Sequence, residues 1–158
     1  MPRLDISRLS DDAKLWVFGL SPRLDVAQEQ VLLGHVDTFL EGWSAHGTPI
    51  PSGREIRDGR FLMIAADETS ETSGCSIDRL YGTLRALENH LGVTILDPTR
   101  VFLRDGEEIR HLDRQSFASA ANPDTLVFDT TAERLRDVRS GAWERKVRDS
   151  WHGQLLGR

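Results

Sequence analysis

The sequence predicts an α+β protein, a mostly antiparallel sheet of about six strands with helices packed on it. Three observations predict it. Asp58-Gly59 and Asp105-Gly106 each lie between apolar runs, the pattern of a two-residue β-hairpin turn. Ile77, Leu80, Leu84, Leu87 and Leu91 recur at alternating spacings of three and four, which puts them on one face of a helix. Leu15 to Leu20 and Thr125 to Asp129 are short apolar runs bounded by turn residues, the signature of buried strands.

Taken in order, Met1–Asp12 is polar and is expected to be a loosely held arm. The strand at Leu15–Leu20 ends at Ser21-Pro22, and Pro22 with the acids near it opens a helix. Leu32, Val36, Phe39, Leu40 and Trp43 form the apolar face of that helix, and His46-Gly47 is expected to end it, with glycine as a left-handed cap. The first hairpin pairs Arg54–Arg57 with Arg60–Ala66. Its second strand is apolar on both faces and is therefore expected to be central. The helix after Cys75 stops at Gly92. The second hairpin pairs Val101–Arg104 with Glu107–Leu112. Asp113 then stands as an N-cap, with Leu112 and Phe117 placed for a hydrophobic staple. Thr130 and Glu133 have capping-box spacing for a further helix, to be stopped at Ser140-Gly141. The first six elements match β-α-β-β-α-β, the split arrangement of ferredoxin-like folds.

A chain of 158 residues suits one domain, residues 1–158, able to bury about two-thirds of its unfolded surface without a disulfide or metal staple. Its one cysteine excludes an internal disulfide and a Cys-rich zinc site, and suits a reducing, cytoplasmic setting. The N-terminus has no apolar h-region, so no secretory leader is expected. No apolar run approaches the ~20 residues needed to span a bilayer, so no membrane partner is expected either. The net charge of −5 argues against general nucleic-acid binding. The tail from Glu133 to Arg158 is locally basic, which fits a solvated face laced with ion pairs.

Chemistry concentrates in Phe61–Leu91, where an apolar run ends in Asp67 and Glu68 and a polar loop leads into a helix. Cys75 stands at that helix's N-terminus, where backbone N–H groups and the macrodipole favour a thiolate. His46 and His152 are the candidate bases for it; a half-buried structural cysteine is the competing reading. Asp67, Glu68 and Asp78, with a histidine, could act as acid and base or hold a hard cation. Ser73, Gly74 and Ser76 could form a small anion nest. Trp43 with His46, and Asp149 and Trp151 with His152, are two clusters that each offer an aromatic wall beside a titratable ring. The apolar stripe Trp143, Val147, Trp151 and Leu155 predicts that residues 142–158 dock back on the core, beside the Asp67–Asp78 loop, and so close a composite pocket.

A P-loop needs G-x-x-x-x-G-K-[ST]. The chain's two lysines, Lys14 and Lys146, follow Ala13 and Arg145, and no G-x-G-x-x-G is present. The strings Leu15-Trp16-Val17-Phe18, Phe39–Trp43 with Ala45-His46-Gly47, Arg60-Phe61-Leu62, Ser73–Asp78 and Asp149-Ser150-Trp151-His152 resemble a family of short bacterial proteins. These often carry the automatic name "ABC transporter ATPase". That name implies an ATP-binding cassette, from which this chain departs: it lacks the Walker lysine and an LSGGQ-like signature and is too short. The resemblance supplies no catalytic residues to carry over and leaves the cofactor open. The expected function is a domain that binds a small molecule or a protein around the Asp67–Asp78 loop. The alternative is an enzyme using Cys75 or an Asp/Glu/His cluster on the same surface.

Overall fold

The computed structural model describes residues 5–45, 47–67, 74–139, 141 and 143–156, with residues 44–45 and 74–76 described through the backbone alone. The chain is α+β, and its long strands form two antiparallel sheets rather than the single six-stranded one expected. The first contains β1 (Lys14–Gly19), β4 (Ser52–Arg57) and β5 (Phe61–Ala66) in the order β1-β5-β4. The second contains β6 (Val101–Asp105), β7 (Glu108–Leu112), β8 (Leu126–Phe128) and β9 (Glu144–Lys146) in the order β7-β6-β8-β9. A two-residue ribbon, β2 (Ser44–Ala45) with β3 (Thr48–Pro49), follows the first helix.

Four layers result, and side-chain alternation along the strands assigns them. In β5, Leu62, Ile64 and Ala66 face one core, while Phe61, Met63 and Ala65 face another. The first core is closed by α1 (Val26–Glu41) through Leu32, Val36 and Leu40, and by α2 (Gly74–Leu91) through Leu80, Leu84 and Leu87. The second core lies between the sheets, where Phe61 meets Phe102, Phe128 and Trp143 with all three ring centroids at 5.1, 5.1 and 5.1 Å. The third lies on the far face of the second sheet: Val101, Leu103 and Val127 pack with Phe117 of α3 (Arg114–Ala120) and with Val147. β5 is thus central because both its faces are covered, one by helices and one by a sheet.

The first sheet keeps the first–third–second strand order of a βαββ unit. The ferredoxin-like expectation ends there, because β6 does not join the free edge of β1 but founds the second sheet. The hairpin turns follow their glycines. Asp58 and Gly59 both have positive φ, 56° and 64°, and Arg60 N–H closes the turn on Arg57 O at 2.9 Å, as type I′ requires. The second turn is shifted one residue from the expected Asp105-Gly106. Asp105 pairs with Glu108, and only Gly106, at φ 63°, is left-handed, the pattern of type II′.

Three further expectations are corrected. α1 starts at a capping box between Asp25 and Gln28 and stops at Gly42; Gly47 belongs to the β2–β3 turn. Among the described residues no α-helix follows Thr130. Leu135 N–H donates to Ala13 O at 3.1 Å and Arg136 N–H to Asp11 O at 3.0 Å, so these donors are spent on the N-terminal segment and one 3-10 turn remains, Leu135–Val138. That segment is not loose over residues 5–12: Leu9 is buried, and Arg139 donates to Ile6 O, Leu9 O and Asp11 Oδ1. Finally, the C-terminal segment docks through β9 on β8 and through Val147 and Leu155 on the third core, while most of the Asp67–Asp78 loop lies outside the described residues. Among the described residues no helix is long and apolar enough to cross a membrane.

Candidate functional site

Of the residues singled out by sequence, Trp43 lies in one core and Trp151 with His152 beside another. Trp43 is buried in the first core, its ring 5.6 Å from Trp16 and 5.2 Å from Phe39. Asp67 leaves the first sheet at the end of β5, its N–H bonded to Pro51 O at 2.9 Å. Asp78 is exposed on α2. Gly74, Cys75 and Ser76 form the first turn of α2, and their side chains lie outside the described residues, as do His46, Glu68 and Ser73.

The second Trp/His cluster sits beyond the second sheet, two layers from Trp43. His152 is 2% exposed, stacked on Trp151 at 4.0 Å and edge-on to Phe117 at 6.0 Å. Its Nδ1 lies 2.6 Å from Ser150 Oγ. Burial holds the imidazole below its ordinary pKa; the nearby Arg114 adds to this and Asp129 opposes it. Trp151 Nε1–H donates to Asp129 at 3.0 Å. Burial pushes the Asp129 carboxyl up, but donors from Thr131 and Trp151 outweigh it and hold the group below the usual range. Trp151 and exposed Asp149 line a polar cavity of about 390 Å³. Trp43 therefore lies in a different core from Trp151 and His152, while His46, the fourth residue of the expected pocket, lies outside the described residues. Among the described residues no group of three or more His, Cys, Asp or Glu is placed to hold a metal ion.

A site that sequence reading missed lies along the outer edge of β1. Leu20 N–H donates to Arg60 O on the β5 side, so the even-numbered residues of this strand face β5 with their backbone groups. The odd-numbered residues face outward. Leu15 N–H is taken by Glu133 O at 2.8 Å, and Ser21 exchanges bonds with Thr94 at 3.1 and 2.7 Å. Between these two bridges, the N–H and C=O groups of Val17 and Gly19 have no partner among the described residues.

This gap opens on a groove of about 490 Å³. Tyr81 of α2 and Leu96 wall one side, Phe102 and Ala132 the other, and Thr130–Glu133 closes one end. The charged residues of the lining are Lys14 and Glu133, at the Leu15 end, and Asp97, next to Leu96. Lys14 lies with its ammonium 5.3 Å from the Trp16 ring. Asp97 is held well below the usual carboxylate range, chiefly by bonds from Thr99 and then by Arg100. The groove occupies the place a fourth strand would take in the βαββαβ arrangement. The sequence signal for it was Gly19, a glycine inside an apolar strand, which marks close approach of another group to the backbone.

A scan against protein-family models matches no family to this chain, and searches of curated proteins and of solved structures return no match.

Proposed function

We propose that the protein is a binding domain that takes an extended peptide segment of a partner protein along the open edge of β1. The observation that carries the reading is the run from Leu15 to Ser21, bridged at both ends and open between, with Val17 and Gly19 offering donors and acceptors at alternate residues. Alternating main-chain groups on an edge strand match the main chain of another strand better than they match a compact small molecule. The gap from residue 15 to residue 21 is about 20 Å at ~3.4 Å per residue, room for a short strand. Its apolar walls above and below the edge suit a segment whose side chains alternate between Tyr81 and Leu96 on one face and Phe102 on the other. Because most of the lining is apolar, the segment's centre is apolar or uncharged. A reaction at Cys75 or at an Asp/Glu/His cluster has no comparable support among the described residues, and ATP hydrolysis has none.

The test is a displayed random-peptide library selected on the purified chain, followed by binding measurements on wild type and Val17→Pro. Proline at 17 removes an outward N–H without costing the β1–β5 ladder a bond. Enriched peptides are expected to bind wild type and to lose affinity about tenfold or more for the variant, the size of one main-chain pair lost in a dry groove. Peptides that bind both proteins equally would contradict the reading.

A further inference from the structure

At the tip of the β4–β5 hairpin lies Arg60, which makes no ion pair among the described residues. Arg60 is 8% exposed, and its Nε is buried without a hydrogen-bond partner. What its guanidinium touches is the face of Phe102, 5.5 Å from the ring centroid. The neighbouring charges make matters worse. Burial, then Arg100 and Arg23, all lower its pKa, and no carboxylate offsets them. A guanidinium stays protonated under any ordinary condition, so the charge persists. A buried, unpaired charge is costly enough that folded proteins almost always pair it.

The surroundings supply room for a partner. Arg60 lines a cavity of about 280 Å³ with Arg23 and Arg104. The backbone brings Arg23 there, because Leu24 N–H donates to Gly59 O at 3.0 Å and seats the Arg23 stem against the turn. Arg104 is already engaged by Glu144, and Arg100 by Asp97. Arg23, like Arg60, has no carboxylate partner among the described residues. Asp58, Glu107 and Glu108 also line the cavity but are exposed, and none of them pairs with Arg60.

We propose that this cavity binds a single compact oxyanion of the phosphate type, held by Arg60 with Arg23 at the rim. Guanidinium forks match the oxygens of such a group, and two unpaired arginines suit a dianion better than a monoanionic carboxylate. The exposed carboxylates at the rim repel a longer polyanion, so the ligand carries one phosphate group rather than a chain of them. The inference does not rest on the peptide reading of the β1 groove, although Phe102 borders both sites.

The experiment titrates inorganic phosphate, sulfate, acetate and pyrophosphate into the full chain at constant ionic strength set with sodium chloride, reading thermal melting and heat of binding. Phosphate and sulfate are expected to raise the melting temperature saturably, with acetate and pyrophosphate weaker. Arg23→Ala should weaken phosphate about tenfold or more. Arg60→Met should abolish the saturable response while melting, without phosphate, no lower than wild type. If Arg60→Met does not fold, the exposed Arg23→Ala decides. A wild type with no saturable response to phosphate or sulfate, an undiminished response in Arg23→Ala or Arg60→Met, or acetate or pyrophosphate as effective as phosphate, would overturn the proposal.

Discussion

The Phe102 ring packs against the bare backbone of Gly19 so closely that a Cβ at residue 19 would fall 2.1 Å from a ring carbon. This contact brings the second sheet against the edge of the first and forms one wall of the β1 groove. Gly19→Ala must therefore push Phe102 out of the inter-sheet core. The expected cost is about 1–3 kcal/mol, the usual range for overpacking, read from urea unfolding. Wild-type stability in this variant would show that the ring is free to move aside.

Phe61 is the hub of that same core, in contact with Phe102, Phe128 and Trp143 and fully buried. Truncation to alanine leaves a cavity between two sheets that cannot both move inward. Phe61→Ala is expected to lose about 3–5 kcal/mol of unfolding free energy. A loss below about 1 kcal/mol would mean that the sheets do not pack as described.

His152 gives stability a pH dependence. Its folded pKa is depressed from 6.5 by burial, with Arg114 adding to the effect. A depressed histidine binds fewer protons folded than unfolded, so its contribution is complete above pH 6.5 and is lost as pH falls through the folded value. His111 has the same sign: burial lowers it first, then Arg100 and Arg60. Melting temperature is expected to fall as pH drops below 6.5, and His152→Gln should flatten part of that slope. An unchanged slope in the variant would assign the whole dependence to other groups.

Neither lysine is placed for nucleotide phosphates. Lys14 lies on β1 over Trp16, and Lys146 lies on β9, 3.8 Å from Asp124. Incubation with ATP and magnesium is expected to give no hydrolysis above background. Turnover abolished by Lys14→Ala or Lys146→Ala would contradict this.

What was legible in the sequence was local. The 3-4 spacing of Leu80, Leu84 and Leu87 put α2 where it is, and Asp58-Gly59 formed the left-handed turn that its residue types favour. The partition into two sheets was not legible. Val101, Phe102 and Leu103 are all apolar, a pattern that fits any strand covered on both faces, and it does not say which strand lies alongside. The helix expected after Thr130 failed for a related reason. Its capping residues are present, but distant acceptors at Asp11 and Ala13 take the backbone donors. Trp43 and His152, read from the sequence as possible site residues, are buried in the structure. The β1 groove is made of unpaired backbone, which no side-chain motif announces.

The most direct test of the account is amide hydrogen exchange, residue by residue, along β1 in the free protein. Trp16 and Phe18 donate into the ladder with β5, whereas Val17 and Gly19 face the groove without partners. The account predicts alternation: slow exchange at 16 and 18, fast exchange at 17 and 19, and slow exchange again at 15 and 21. Uniform protection from Leu15 to Ser21 would mean that the edge of β1 is already paired, and would contradict an open slot for a partner's strand.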